Sequence, residues 1–149
     1  MKKFLLDASV LVPLLLDCGE KLLDIAGKVS LYTMDLTVYE VGNSLWKLVF
    51  LLKSISLDDA VEIMEVLMDL VKRGFVKIVR FGELDASRII RLAVAEELTF
   101  YDSAYITAAE KLSVAFVTED KELGEKARKY VKIMVYKQLQ ESITLDSQY

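Results

Sequence analysis

Histidine is absent from the 149 residues. That excludes Ser-His-Asp triads, imidazole metal ligands and imidazole acid-base catalysis together, and leaves carboxylates, hydroxyls, lysine and tyrosine to carry any chemistry. Cysteine occurs once, as Cys18, so neither an internal disulfide nor a thiolate zinc site can form, and a reducing cytoplasm is the expected compartment. Excess positive charge is lacking too: 19 Lys and Arg against 23 Asp and Glu give a net charge of −4. With an isoelectric point near 5.0 there is no general field to gather nucleic acid, so such a substrate would need a local basic patch or bound cations. No uninterrupted apolar stretch approaches the roughly 18 residues of a membrane span. Lys2-Lys3, the apolar run to Leu16 and Cys18 together imitate a lipoprotein export signal. Asp7 breaks that run, and Asp17 stands where a small residue is wanted before the cysteine, so export is not expected.

What the chain has in quantity is apolar side chains, 54% of residues, with a mean hydropathy of +0.33. That is enough for one domain over residues 1–149 with a sizeable core, and rich enough to expect apolar surface covered by a partner. Strand and helix patterns alternate. Phe4 to Leu6, Leu31 to Met34, Phe75 to Phe81, Val114 to Val117 and Tyr130 to Val135 read as strands. Helices are expected over Ser9 to Leu16, with Pro13 near its first turn, then Leu22 to Lys28, Thr37 to Lys53, Ser56 to Arg73, Leu84 to Glu97, Asp102 to Leu112 and Lys121 to Lys129. From about Glu141 the chain is polar and expected to be a mobile tail. This alternation predicts an α/β fold, a mostly parallel sheet with helices on both faces.

Four acids stand at the ends of these elements. Asp7 follows the first strand and Asp120 the fourth, while Glu40 and Asp102 fall at the starts of two helices, so all four can reach one edge of one sheet. Each also has a local explanation. Thr37-x-x-Glu40 is a capping-box pattern, Asp102 favours a helix N-terminus, and Asp7 and Asp120 suit caps or turns. Together they form a set of like charges with no Arg or His in the same motifs, for which a divalent cation is the natural counterion.

The segments Phe4-Leu5-Leu6-Asp7-Ala8-Ser9, Glu40-Val41-Gly42-Asn43-Ser44-Leu45, Tyr101-Asp102-Ser103-Ala104-Tyr105 and Val117-Thr118-Glu119-Asp120 occur in this order. In order and spacing the chain resembles the PIN-domain nucleases over nearly its whole length, and closely the small single-domain toxins of VapBC-like toxin-antitoxin pairs. The resemblance implies a three-layer α/β/α fold with five strands ordered 3-2-1-4-5. It also implies endoribonuclease activity with RNA as substrate, a homodimer, and a cognate antitoxin protein as partner. It assigns Asp7, Glu40, Asp102 and Asp120 to the catalytic set that holds Mg²⁺ or Mn²⁺, with Ser9 and Thr118 as supporting hydroxyls. Glu119 is a possible fifth acid. Asn43 and Lys47 share a helix face with Glu40 and could touch substrate, although a solvated lysine is the commoner fate.

Oxygen-only ligands select Mg²⁺ or Mn²⁺ over zinc, and a hard cation supplies what phosphodiester hydrolysis needs at neutral pH. Lys121, Lys126, Arg128, Lys129 and Lys132 offer phosphate contacts or simply a solvated helix face. Phe100, Tyr101 and Tyr105 could stack bases or belong to the core. Three rival readings remain. A receiver domain with a phosphoaccepting aspartate would show an acidic pair at the first strand end, where Asp7 is followed by Ala8-Ser9; a dehalogenase-type phosphatase would show Asp-x-Asp there. A catalytically inactive PIN-like RNA- or protein-binding module would ordinarily have lost an acid. Finally, the pair of helices from Leu45 to Val71 carries an apolar band too wide for a single core contact, which predicts a homodimer interface in part.

Overall fold

The computed structural model describes residues 1–147. Strands β1 (Lys2–Leu6), β2 (Val29–Met34), β3 (Val76–Val79), β4 (Ala115–Val117) and β5 (Ile133–Met134) form one sheet in the order β3-β2-β1-β4-β5. Every neighbouring pair is parallel. Parallel neighbours need crossovers, and helices supply them: α1 (Ala8–Cys18), α2 (Asp35–Trp46), α3 (Leu57–Lys72), α4 (Ala86–Glu96), α5 (Phe100–Leu112) and α6 (Lys121–Ala127), with α7 (Tyr136–Ser147) after the last strand.

Side chains of β1 alternate between two cores. Phe4 and Leu6 pack with Leu11, Val41 and Leu67 from α1, α2 and α3, while Leu5 packs on the opposite face with Ile89, Ile106 and Phe116. Burial on both faces is why the central strands read as continuous apolar runs rather than alternating ones. The three layers and the strand order are those expected. Because the chain winds from β1 towards β2 and β3, then returns to place β4 on the other side of β1, the seam between β1 and β4 is the topological switch point.

Several expected elements shift. Pro13 is the sixth residue of α1, beyond its first turn, and offers no N–H to the Ser9 carbonyl. The second expected helix is a 3₁₀ segment, Gly19–Ile25, entered through Gly19 at a φ of 52° that few other residues adopt. The long helix expected from Thr37 begins at Asp35 and passes at Lys47–Leu51 into a π-helical turn. Strand β3 stops at Val79, and Phe81–Glu83 forms a 3₁₀ turn instead. Strand β5 is shorter than the expected Tyr130 to Val135. The expected mobile tail is helical as far as Ser147, since Leu139 of α7 is fully buried in the first core and holds the helix down. Residues 148–149 lie outside the described residues.

Candidate active site

Parallel register sets Leu6 beside Val117, so the next residues, Asp7 and Thr118, emerge side by side at the carboxyl edge of the seam. Asp7 precedes α1 yet makes no side-chain cap to it. Its carboxylate is closed between two hydroxyls: Ser9 Oγ donates to Oδ1 at 2.5 Å and Thr118 Oγ1 donates to Oδ2 at 2.5 Å. Each hydroxyl in turn accepts from the β4–α6 loop, Ser9 from the Glu119 N–H at 3.0 Å and Thr118 from the Asp120 N–H at 3.1 Å. The clamp thus binds the ends of β1 and β4 through one acid. Asp7 is buried at 8% exposure, and its carboxyl is pushed up to about 6. Burial is the main cause, the two hydroxyls oppose it, and the charge of Glu40 adds to it.

The other three acids reach the same edge from helices. Glu40 sits in the second turn of α2, so the expected capping box does not account for it. Thr37 is the residue that closes the helix start, its hydroxyl accepting from the Met34 N–H at 3.1 Å, while Glu40 accepts from the Tyr105 hydroxyl at 2.6 Å. Asp102 lies in the first turn of α5, where Thr99 rather than Asp102 is the cap, accepting from the Asp102 N–H. Its carboxyl is raised by burial first and then by the charges of Asp120, Glu40 and Glu122. Asp120 does serve as a cap, accepting from the Leu123 N–H at 3.0 Å, and with Asp102 it lines an acidic cavity of about 120 Å³. The quartet is therefore one electrostatic unit: Glu40 is felt by both Asp7 and Asp102, and Asp120 by Asp102.

The remaining candidates divide. Glu119 spends its carboxylate on α7, accepting from the Tyr136 N–H at 2.6 Å, so it anchors the last helix. Asn43 is exposed. Lys126 pairs with Glu122 and Lys129 with Glu96, which answers the solvated-face reading for those two; Lys121 is exposed at the edge directly after Asp120, whereas Arg128 stands at the far end of α6 and Lys132 lines a cavity with Lys2 and Ser113 at the opposite, amino end of the sheet. Tyr101 is exposed and Tyr105 is buried in the second core. The polar role of Tyr105 was not legible beforehand; its one signal is a position three residues after Asp102, on the same helix face.

The donor set fits a hard divalent cation in chemistry, all oxygen and all mutually repelling. Among the described residues, no three acids stand close enough to grasp one ion together as the side chains lie. Mg²⁺ requires less, since it keeps several waters and is commonly held by one or two carboxylates.

The raised carboxyl of Asp7 has a measurable consequence in the metal-free protein. Folding holds its proton more tightly than the unfolded chain does, so this group favours the fold fully below pH 3.8, and that contribution is lost as pH rises to about 6. The loss amounts to roughly 3 kcal/mol, at about 1.4 kcal/mol per pH unit. In EDTA, Asp7→Asn should therefore melt several degrees above the parent near neutral pH, with the gap closing as pH falls to about 4. A gap independent of pH in thermal melts would show that Asp7 carries no such strain.

Residues 4–129 match the family model described as PIN domain. Two curated relatives come from Pyrobaculum aerophilum. Ribonuclease VapC3 is 35% identical over 99 residues, 65% of this chain and 71% of that protein. Exonuclease VapC9 is 32% identical over 126 residues, 85% of this chain and 86% of that protein. Among solved structures, PAE2754 from the same organism superposes with a TM-score of 0.72 at 26% identity, covering 97% of this chain and 96% of that one. The family match spans β1 to β4 and the helices between them, and the chain belongs to the PIN-domain family.

Proposed function

We propose that this chain is a divalent-cation-dependent endoribonuclease, the toxin of a toxin-antitoxin pair, working in the cytoplasm. The observation that carries the reading is the acidic edge itself. Among the described residues no lysine or arginine pairs with Asp7, Glu40, Asp102 or Asp120, and gathering four carboxylates at one edge carries a repulsion that a bound cation would relieve. The names of the two relatives, a ribonuclease and an exonuclease, support nucleolytic chemistry. No helix among the described residues is long and apolar enough to cross a membrane.

In this reading Asp7 is the central ligand for Mg²⁺ or Mn²⁺, with Glu40, Asp102 and Asp120 completing one or two sites directly or through water. The bound cation supplies charge relief at the phosphate and a more acidic water. Glu40 orients the attacking water and takes its proton as the new bond to phosphorus forms and the ester P–O bond breaks. Ser9 and Thr118 hold Asp7 in place, and Lys121, next to Asp120, meets a flanking phosphate. The antitoxin is proposed to lie in the apolar cleft beside the edge, about 450 Å³ and lined by Met34, Leu36, Tyr39, Phe81, Phe100 and Tyr101. A second reading, an exonuclease, is favoured by the name of VapC9.

The band expected to form a homodimer supports that assembly. Trp46 and Phe50 stack at 5.5 Å on the surface, and Leu51, Leu52, Leu57, Val61 and Met68 around them are exposed. Burial of such a patch contributes roughly 25 cal/mol per Å².

A closed circular RNA separates these readings. With Mg²⁺ or Mn²⁺ the circle should be opened, excess EDTA should stop the reaction, and Asp102→Asn should slow it by on the order of a hundredfold. Digestion of linear RNA alone would establish the exonuclease, and binding without any cleavage the inactive module. Co-expression with the product of the adjoining reading frame should suppress cleavage if that product is the antitoxin. Light scattering at low micromolar concentration should give about twice 16.9 kDa. A monomer there, with Phe50→Glu leaving solubility unchanged, would contradict the dimer.

A further inference from the structure

We infer that Tyr105 is a positioning residue for Glu40, a buried strut from α5 to α2 that holds this carboxylate at the acidic edge; the inference rests on the nuclease reading above. The ring is fixed first. Tyr105 is 2% exposed and stacks on Phe116 of β4, centroids 5.4 Å apart with planes 9° from parallel. Its hydroxyl donates to Glu40 Oε1 at 2.6 Å and lies 2.6 Å from Thr37 Oγ1.

Counting protons orders the relay. An ionised carboxylate only accepts, so the phenol proton goes to Glu40 and the Thr37 hydroxyl must donate to the phenol oxygen. Thr37 Oγ1, wholly buried, itself accepts from the Met34 N–H at the end of β2. The relay therefore starts in the sheet backbone, and every donor in it is used once.

Glu40 needs such a hold. It sits partly exposed on a helix, with the charges of Asp7 and Asp102 acting against it, so repulsion and side-chain freedom both favour swinging out to water. The Tyr105 hydroxyl is the one described hydrogen-bond partner of that carboxylate. Because Tyr105 and Asp102 lie three residues apart on α5, the same strut fixes the span between Glu40 and Asp102.

Tyr105→Phe keeps the stacked ring and removes only the strut. The expected loss in kcat is about 10- to 100-fold, the range for residues that orient ligands, with KM within about twofold. Mn²⁺ affinity, read by electron paramagnetic resonance without any substrate, should weaken by about tenfold. In a Glu40→Gln background the same substitution should change neither quantity by more than about twofold, since its whole effect passes through Glu40. Thr37→Val, which removes the donor behind the phenol, should give a smaller loss in the same direction, and it serves if Tyr105→Phe does not fold. Equal losses in both backgrounds, or unchanged kcat and Mn²⁺ affinity, would overturn the inference. If the parent protein cleaves no RNA, the nuclease reading fails and the Mn²⁺ cycle still decides the strut.

Discussion

Repulsion among carboxylates at one sheet edge is the constraint to which the rest of the molecule answers. A parallel sheet brings its strand ends to a common edge, and the crossover order puts β1 beside β4 there, where the charge of Glu40 bears on Asp7 and Asp102 and that of Asp120 on Asp102. The fold contains the repulsion with hydroxyls rather than with opposite charges. Ser9 and Thr118 close on Asp7, and Tyr105 closes on Glu40. Hydroxyls can hold a carboxylate without neutralising it, whereas a lysine or arginine would occupy the place of a cation. The carboxyls of Asp7 and Asp102 are raised by burial first and by neighbouring acids second, with no cationic side chain among the described residues opposing either.

Stability and activity draw on the same contacts here. The Asp7 clamp links β1 to the β4–α6 loop, and Glu119 within that loop anchors α7, whose Leu139 fills the first core. The last helix is thereby connected to the site by two hydrogen bonds, and to the first core by Tyr136, Leu139 and Ile143. On the other side, the buried Thr33 hydroxyl donates to the Leu6 carbonyl at 2.8 Å, joining β2 to the strand end that carries Asp7. The edge is held from both flanks by polar groups that are each satisfied, as a preorganised site requires.

The sheet was legible in the sequence because its strands are short apolar runs stopped abruptly by Asp7 and by Thr118-Glu119-Asp120, a pattern set by burial on both faces. The start of the helix expected from Ser56 was legible because its signal is local: the Ser56 hydroxyl accepts from the Asp59 N–H within four residues. What could not be read depended on contacts between distant residues. Thr37 looked like a cap with Glu40 as its partner, but the helix starts earlier and Thr37 turns its hydroxyl to Met34 and Tyr105, 68 residues away. Glu119 was readable as a supplement to the site or as a solvent-facing acid; instead its carboxylate accepts from the Tyr136 N–H of α7. The tail from Glu141 looked polar because the main anchor of α7, Leu139, lies before it and the apolar residues are spaced among polar ones. The acids themselves were visible; which groups restrain them was not.

The most direct test of the account is a Mn²⁺ titration of the intact protein by electron paramagnetic resonance or calorimetry, compared with Asp7→Asn and Asp102→Asn. Binding should be saturable, raise the melting temperature of the parent and be greatly weakened in each variant, while both variants stay folded. Binding of equal strength in the parent and both variants, or no binding at all, would contradict the claim that these acids are gathered to hold a cation.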